Sequence, residues 1–597
     1  MNLFKKIYSQ GILMAALSQL LFAADRPNIV FVISDDQGYA DLACNGHPYI
    51  KTPNIDALAS ESVRLDDYHV FPTCSPSRAA IMTGHWANRT GVWHTINGRS
   101  LLRKNEVTIA SMLKASGYTT GIFGKWHLGD AYPFRPQDRG FDEVYIHGAG
   151  GVGQTPDVWN NAYFDGGYYH NGEIESAKGF CTDVFFREGT RFIEQSVADK
   201  KPFFAYISTN APHGPLLCPQ KYMDLYEGKP ENLTAFYGMI TNIDDNVGKL
   251  RKKLKEIGAE ENTIFIYTTD NGSAYGSKEF NAGMKGAKNS EYDGGHRVPL
   301  FLHWPAGQMN AEKRIKTLTH AVDIAPTLLD LAGAKKADGV KFDGVSIARL
   351  LRDGDVKNWK DRYLITDSQR VVDPIKWRKS AVMSQGWRLV NGTELYAIDK
   401  DPAQENDLAK QLPERVVQMR EAYDKWWADI EPGFAEAAAF ILGSPKAPLV
   451  TLTAHDWISK SSPPWNQSGV RNLGKLKSDN YDGYWAVDVA DAGSYEITLR
   501  RWPKEAETAL NAGLPAGANV PGVSKPYRAT KGVALDIRSA TIAADENVLA
   551  SFAVDASQSA VVRTVQLKAG PQKLKAYFTL ADKKQVGACY LTARKLD

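Results

Sequence analysis

Thr73-Cys74-Ser75-Pro76-Ser77-Arg78-Ala79-Ala80-Ile81-Met82-Thr83-Gly84 puts a cysteine, a fixed turn and a cation into one short run. Pro76 presets φ and biases Ser75 toward an extended conformation, which predicts that Cys74 leaves a loop just before a helix begun by Ser77 to Met82. A group held there meets helix N-terminal dipoles and one guanidinium, and both favour an anionic ligand. A lone cysteine is ordinarily a buried or disulfide-bonded thiol. The residues around this one argue for more.

Short apolar runs rich in β-branched and aromatic residues recur at 29–33, 119–123, 203–207, 263–268 and 298–304. Helical patterns lie between them, the clearest being Ile240, Ile243, Val247, Leu250 and Leu254, with Lys and Glu on the outer face and Gly258 as a stop. Continuous apolar strands alternating with amphipathic helices predict an α/β layer with a mainly parallel sheet. Ligands of such sheets sit beyond the carboxyl ends of the strands. The first strand runs into Ser34-Asp35-Asp36-Gln37-Gly38 and the strand from Thr263 into Thr269-Asp270-Asn271-Gly272, so two acidic tips point at one edge. Turn chemistry explains either tip alone; it does not explain both together with Cys74. Asp35, Asp36, Asp270 and Asn271 offer only oxygen, which selects a hard cation and suits Ca²⁺ better than Mg²⁺.

The 597 residues carry 71 basic and 68 acidic side chains, a net charge of +3 that gives no bulk electrostatic case for nucleic acid or a membrane surface. Residues 1–24 read as a secretory signal, with Lys5 and Lys6 ahead of an apolar run from Ile12 to Phe22 and a small-residue end at Ala23-Ala24. An exported protein, periplasmic or secreted and without a membrane span, is expected. Five cysteines, Cys44, Cys74, Cys181, Cys218 and Cys589, name no disulfide framework, and no Cys-x-x-Cys or His-x-x-x-His spacing suggests zinc.

The run around Cys74 resembles the sulfatase signature Cys-x-Pro-x-Arg followed by a Thr-Gly pair, and the resemblance extends over roughly residues 27 to 410. It implies an alkaline-phosphatase-like α/β fold and a sulfuric ester hydrolase whose cysteine, Cys74, is converted to formylglycine by a formylglycine-generating enzyme. Asp35, Asp36, Asp270 and Asn271 match the family's metal ligands, with the modified Cys74 completing the set. Gly124-Lys125-Trp126-His127-Leu128-Gly129 looks like the family's loop in which Lys125 holds sulfate oxygens and His127 acts as base. By the same matching His213, in Ala211-Pro212-His213-Gly214-Pro215, stands near the leaving oxygen, Lys288 at the sulfate and bridging oxygen, and Arg78 at the nucleophile; His296 is structural. Asp293 stands where many members have Glu, and Ala43 where Gly is common.

Residues 25–340 are expected to form the catalytic domain, 341–432 a small antiparallel subdomain closed by a helix from Pro413, 433–448 a linker rich in Gly, Ser, Pro and Ala, and 449–597 an accessory β-sandwich. That last part either binds sugar, through Trp457, Trp465 or Trp502, or merely covers the catalytic domain. Residues 148–172, with Trp159, Tyr163, Phe164, Tyr168, Tyr169 and His170, read as an aromatic loop that could stack on sugar rings. Arg89, Trp93, His94 and Arg99 form a second candidate wall. Together these favour a sulfated polysaccharide or oligosaccharide as substrate. A phosphonate or phosphodiester hydrolase of the same superfamily and a non-catalytic carbohydrate-binding protein are the alternatives.

Overall fold

The computed structural model of the protein describes residues 26–596 except 160–162, 356–358, 476–482 and 518–529. The expected signal segment, residues 1–24, lies outside the described residues. None of the described helices is long and apolar enough to cross a membrane.

A ten-stranded mixed sheet forms the centre. Its parallel heart runs, in spatial order, through Thr263–Thr269, Asn28–Ser34, Phe203–Ser208, Thr119–Lys125 and Glu143–His147. Antiparallel strands extend both sides: Leu300–His303 pairs with Thr263–Thr269, and Gly167–His170 pairs with Glu143–His147. Alternation along the first strand splits the apolar interior in two. Ile29, Phe31 and Ile33 face one core with the helices Cys74–Thr83, Ile109–Ala115 and Ile324–Leu331, whereas Val30 and Val32 face another with Cys181–Ala198 and Glu231–Glu256. In the last helix the three-and-four spacing read from the sequence buries Ile240, Ile243, Val247, Leu250 and Leu254.

The helix carrying the signature begins earlier than the sequence suggested, at Cys74 itself. Pro76 falls in the first turn, where its missing N–H is no loss. Ser77 Oγ accepts from the Phe71 N–H at 3.0 Å and donates to the Phe71 carbonyl at 2.9 Å, which pins the chain entering the helix. All ten residues of this helix are buried, Arg78 included, and it stops at Gly84, whose φ of 70° is the left-handed conformation glycine adopts freely.

Strands Leu364–Asp367, Ser380–Ser384, Trp387–Val390 and Glu394–Ala397 make a four-stranded antiparallel sheet. Helix Pro413–Ile430 packs on it through Met419, Tyr423, Trp426 and Trp427. Beyond this, a six-stranded and a four-stranded sheet enclose a third core. The segment read as linker is not free chain: Phe440–Leu442 lies within it and pairs in parallel with Trp485–Val489. Leu101 and Phe134 of the catalytic part belong to this third core, so the β-domain is packed onto its neighbour through shared apolar side chains.

Candidate active site

Adjacent parallel strands deliver their carboxyl ends to one place, as the rule for such sheets requires. Asp35 and Asp36 follow Ser34, Asp270 and Asn271 follow Thr269, Lys125 is the last residue of its strand, and His213 comes five residues after Ser208. Asp36 takes φ of 67° and His127 φ of 62°, so both side chains are aimed by strained backbone. The Asp36 N–H donates to Asp270 Oδ1 at 3.2 Å and ties the two acidic tips together.

Cys74 Sγ sits 3.4 Å from Asp35 Oδ1 and 3.9 Å from Asp36 Oδ1. One ligand atom from each of Asp35, Asp36, Cys74 and Asp270 lies within 4.8 Å of all the others, and all four residues are buried. Lys125 Nζ donates to Asp35 Oδ2 at 2.6 Å, and Lys288 Nζ pairs with Asp36 Oδ1. Asn271 Nδ2 donates to Asp36 Oδ1 at 2.9 Å, while its buried Oδ1 has no partner. Arg78 donates through Nε and Nη2 to Asp270 Oδ2, at 2.9 and 2.7 Å, and through Nη1 to the Lys125 carbonyl and Ser208 Oγ. Its guanidinium therefore anchors the acidic cluster through Asp270.

The electrostatics follow from this packing. Burial and the nearby Asp270 push Asp35 up to about 8 against the pull of Lys125. Burial acts on Asp36 in the same sense, but Lys288, His213 and Lys125 outweigh it and hold its carboxyl below the usual range. Burial and Asp35 push the Cys74 thiol up to about 12, so as a thiol it is no nucleophile at neutral pH. Burial lowers His213 to about 4 and, with Lys125 and His455, takes His127 well below its ordinary value. Lys288 is opposed by burial but raised by Asp36, Cys74 and Asp35, and stays charged.

A hard dication fits these residues. Two crowded carboxylates that repel when both are charged, a third beside them and an orphaned amide oxygen at Asn271 make an all-oxygen donor set lacking positive charge at its middle. The tautomers are also set. His127 Nε2 donates to the Thr95 carbonyl at 2.9 Å, which leaves Nδ1 as the lone-pair atom, buried and unpartnered. His213 Nδ1 donates to the Gly214 carbonyl at 2.6 Å, and Nε2 stands 3.8 Å from Asp36 Oδ2.

A cavity of about 290 Å³ opens above the cluster, lined by Cys74, His127, His213 and Lys288, and by His94, Arg370 and Trp465. The two sugar-facing walls expected from the sequence are mostly spent elsewhere. Arg89 pairs with Asp343 and Asp429, Trp93 is buried, and Arg99 stacks on Trp93 while donating to the Val372 carbonyl; only His94 of that set lines the cavity. Tyr163 and Tyr168 are core residues, Trp159 packs edge-on against Trp502, and His170 bridges Glu143 and Glu175. Trp457 and Trp502 are likewise in the third core, because apolar area of that size is worth more buried than offered to solvent. Sequence reading missed the Thr95 carbonyl that sets the His127 tautomer, and Arg370, an exposed arginine with no local signature. His296, read from the sequence as structural, is fully buried and meets His69 through the Nδ1 atoms at 2.8 Å, beside the Arg388 ion pair with Asp293. All five cysteines are free.

A family model described as Sulfatase matches residues 27–334, and one described as N-sulphoglucosamine sulphohydrolase, C-terminal, matches residues 287–424. N-acetylgalactosamine-6-sulfatase of Mus musculus is 31% identical over 369 residues, covering 58% of this chain and 70% of its own. Arylsulfatase G of Mus musculus is 31% identical over 370 residues, covering 55% and 69%. Among solved structures, Ps i-CgsB in complex with k-i-k-neocarrahexaose aligns with a TM-score of 0.62 at 30% identity, over 67% of this chain and 92% of that one. A phosphonate monoester hydrolase of Agrobacterium radiobacter shares the fold, at 20% identity and a TM-score of 0.51 over 68% and 96%. A buried cysteine among carboxylates at the carboxyl edge of a parallel sheet, and these matches over that same part of the chain, lead to one conclusion: the protein belongs to the sulfatase family and is a sulfuric ester hydrolase.

Proposed function

We propose that the protein hydrolyses sulfate esters of a sulfated polysaccharide or oligosaccharide, with Cys74 converted to formylglycine and a Ca²⁺ ion held by Asp35, Asp36, Asp270, Asn271 and the modified Cys74. The observation that carries this is the placement of Cys74 Sγ, at 3.4 Å from Asp35 and within the same 4.8 Å cluster as Asp36 and Asp270. Bound Ca²⁺ would neutralise charge on the sulfate and lower the pKa of a hydroxyl at position 74. Formylglycine would supply, as its hydrate, one hydroxyl to attack sulfur and displace the alcohol, and a second whose deprotonation would break the carbon–oxygen bond to sulfate, releasing sulfate and returning the aldehyde, a step no thiol can perform.

The side chains divide the rest. Lys125, which pairs with Asp35, and Lys288, which pairs with Asp36, would hold anionic sulfate oxygens. His127 has Nδ1 as its lone-pair atom and would take the proton of the second hydroxyl there. Lys288 is protonated at neutral pH, whereas His213 is neutral, so the ester oxygen meets one charged donor and one imidazole. Arg78 holds Asp270 in place. Maturation by a formylglycine-generating enzyme and export to the periplasm or medium complete the proposal; detection of the protein in an extracytoplasmic fraction tests the export.

Mass spectrometry of the peptide containing Cys74 is the decisive experiment. An aldehyde or its hydrate in active protein is expected; a plain thiol in active protein overturns the mechanism. Comparing 4-nitrophenyl sulfate with an aryl phosphonate decides between sulfate and phosphonate chemistry, with faster sulfate turnover expected.

A further inference from the structure

The family matches end at residue 424, yet the cavity above Cys74 is completed by residues from beyond that point. Ser462 and Trp465 line it, and both come from the segment that leads from Leu449–Thr453 across to the catalytic domain. This segment is fixed to the loops that carry the site. The Thr155 N–H and Oγ1 both donate to the Trp465 carbonyl, at 3.0 and 3.1 Å, and the Gln467 N–H donates to the Gly153 carbonyl at 3.1 Å. On the other side the Asn97 side chain bonds the Ser459 backbone in both directions, at 3.1 Å each, and the Asn97 N–H donates to the His455 carbonyl at 3.0 Å. Trp465 is thus held in register with Gln154 and Gly150, which lie in the wall beside His127, while its side chain stays half exposed.

The cavity does not end there. His94, Ile96, Arg370 and Ser462 are shared with a second, open cavity of about 580 Å³, which also takes in Lys460 and Val372. A groove therefore leads outward from Cys74 between the catalytic unit and the β-domain. Arg370 stands where the two cavities meet, with φ of 42° and its N–H on the Trp93 carbonyl at 3.2 Å. Its guanidinium forms no ion pair among the described residues, and nor does the Lys460 ammonium. An aromatic at the inner end and two cations along the exit match a sugar ring followed by anionic groups at saccharide spacing.

We propose that the C-terminal β-domain is part of the substrate site, Trp465 packing against the sugar that bears the scissile sulfate, and Arg370 and Lys460 receiving further sulfate or carboxylate groups of the same saccharide. This rests on the sulfatase reading above and goes past it by naming a polyanionic oligosaccharide as the ligand and the residues that select it.

The test compares a sulfated hexasaccharide with 4-nitrophenyl sulfate, using full-length wild type, Trp465→Ala, Trp465→Phe and the double variant Arg370→Ala/Lys460→Ala. Trp465→Ala should raise KM for the hexasaccharide by about tenfold more than for the aryl sulfate, with Trp465→Phe restoring most of the loss. The double variant should weaken the saccharide's KM and flatten its dependence on salt. Equal effects on both substrates, or none on the saccharide, overturn the proposal. If wild type turns over no sulfate ester, the sulfatase reading fails by itself, and calorimetric titration of the hexasaccharide into Cys74→Ala protein still decides the groove. Binding weakened about tenfold by Trp465→Ala upholds it; binding unchanged by that substitution, or absent altogether, removes it.

Discussion

At the scale of single residues, the proton inventory distinguishes the two groups proposed to meet the leaving oxygen. Lys288 stays charged because Asp36 and Cys74 offset its burial, while His213 is lowered to about 4 by burial. Lys288→Ala should therefore cost more with a sugar sulfate, whose alkoxide needs a proton, than with 4-nitrophenyl sulfate, whose phenolate does not; a difference of about 10²-fold in kcat between the two substrates is expected. Steady-state kinetics with both esters measures it. These lysines and histidines were legible in the sequence because short glycine- and proline-flanked motifs surround them. Arg370 was not, since nothing near it in the chain differs from a solvated surface charge. Trp457, Trp465 and Trp502 are equivalent on paper, and only packing separates the two that fill a core from the one that borders a cavity.

Elements carry the next group of consequences. The loop 148–151 closes against His127 so tightly that a Cβ at Gly150 would come within 2.3 Å of the imidazole ring. Gly150→Ala should displace His127 and lower kcat by about 10²-fold, while thermal unfolding shows a folded protein. Another element-level effect lies where the strand Tyr68–His69 meets the turn Asp293–His296 and the cap at His320, all fully buried. Burial lowers His69, takes His296 to about 3 and takes His320 well below its ordinary value. An unfolded chain has these groups near 6.5, so as the pH falls below about 6.5 it binds more protons than the folded one, down to about 3 for His296. Stability should fall as the pH drops through that window, by up to about 1.4 kcal/mol per pH unit for each histidine. Urea titrations at pH 7, 6 and 5 read this slope, and His296→Asn should make it shallower. Asp67 and Asp293, both opposed by burial but held low by Arg388, add an acid loss only below the ordinary carboxylate range. The parallel strands and the long helix were plain from apolar runs and three-and-four spacing. The short strand Val63–Leu65 and the edge strand Lys313–Ile315 were not, because three residues carry no periodicity and their partners are set by the sheet.

For the whole molecule, the proposed metal would couple the tips of two neighbouring strands, Asn28–Ser34 and Thr263–Thr269, so binding it should stabilise the fold as well as activate it. At a hundredfold excess of Ca²⁺ over its dissociation constant the gain is about 2.7 kcal/mol. Melting curves after chelation should show a lower Tm that returns with Ca²⁺, and activity should follow the same titration. The fold class was readable from the chain because each layer repeats its own signal; the seat of the β-domain was not, since it depends on side chains such as Leu101 and Phe134 that look like ordinary core residues of another domain. One feature of the signature helix also bears on how the protein is made. Every residue from Cys74 to Thr83 is buried, and Cys74 lines a cavity of about 290 Å³. The proposed oxidation of Cys74 would then have to precede folding, on nascent or translocating chain, since a maturing enzyme as large as a protein does not enter a cavity of that volume. Material refolded from inclusion bodies should stay inert however well it folds, and in an overproducing host the active fraction would be set by how quickly the cell's oxidation machinery keeps up with the ribosome.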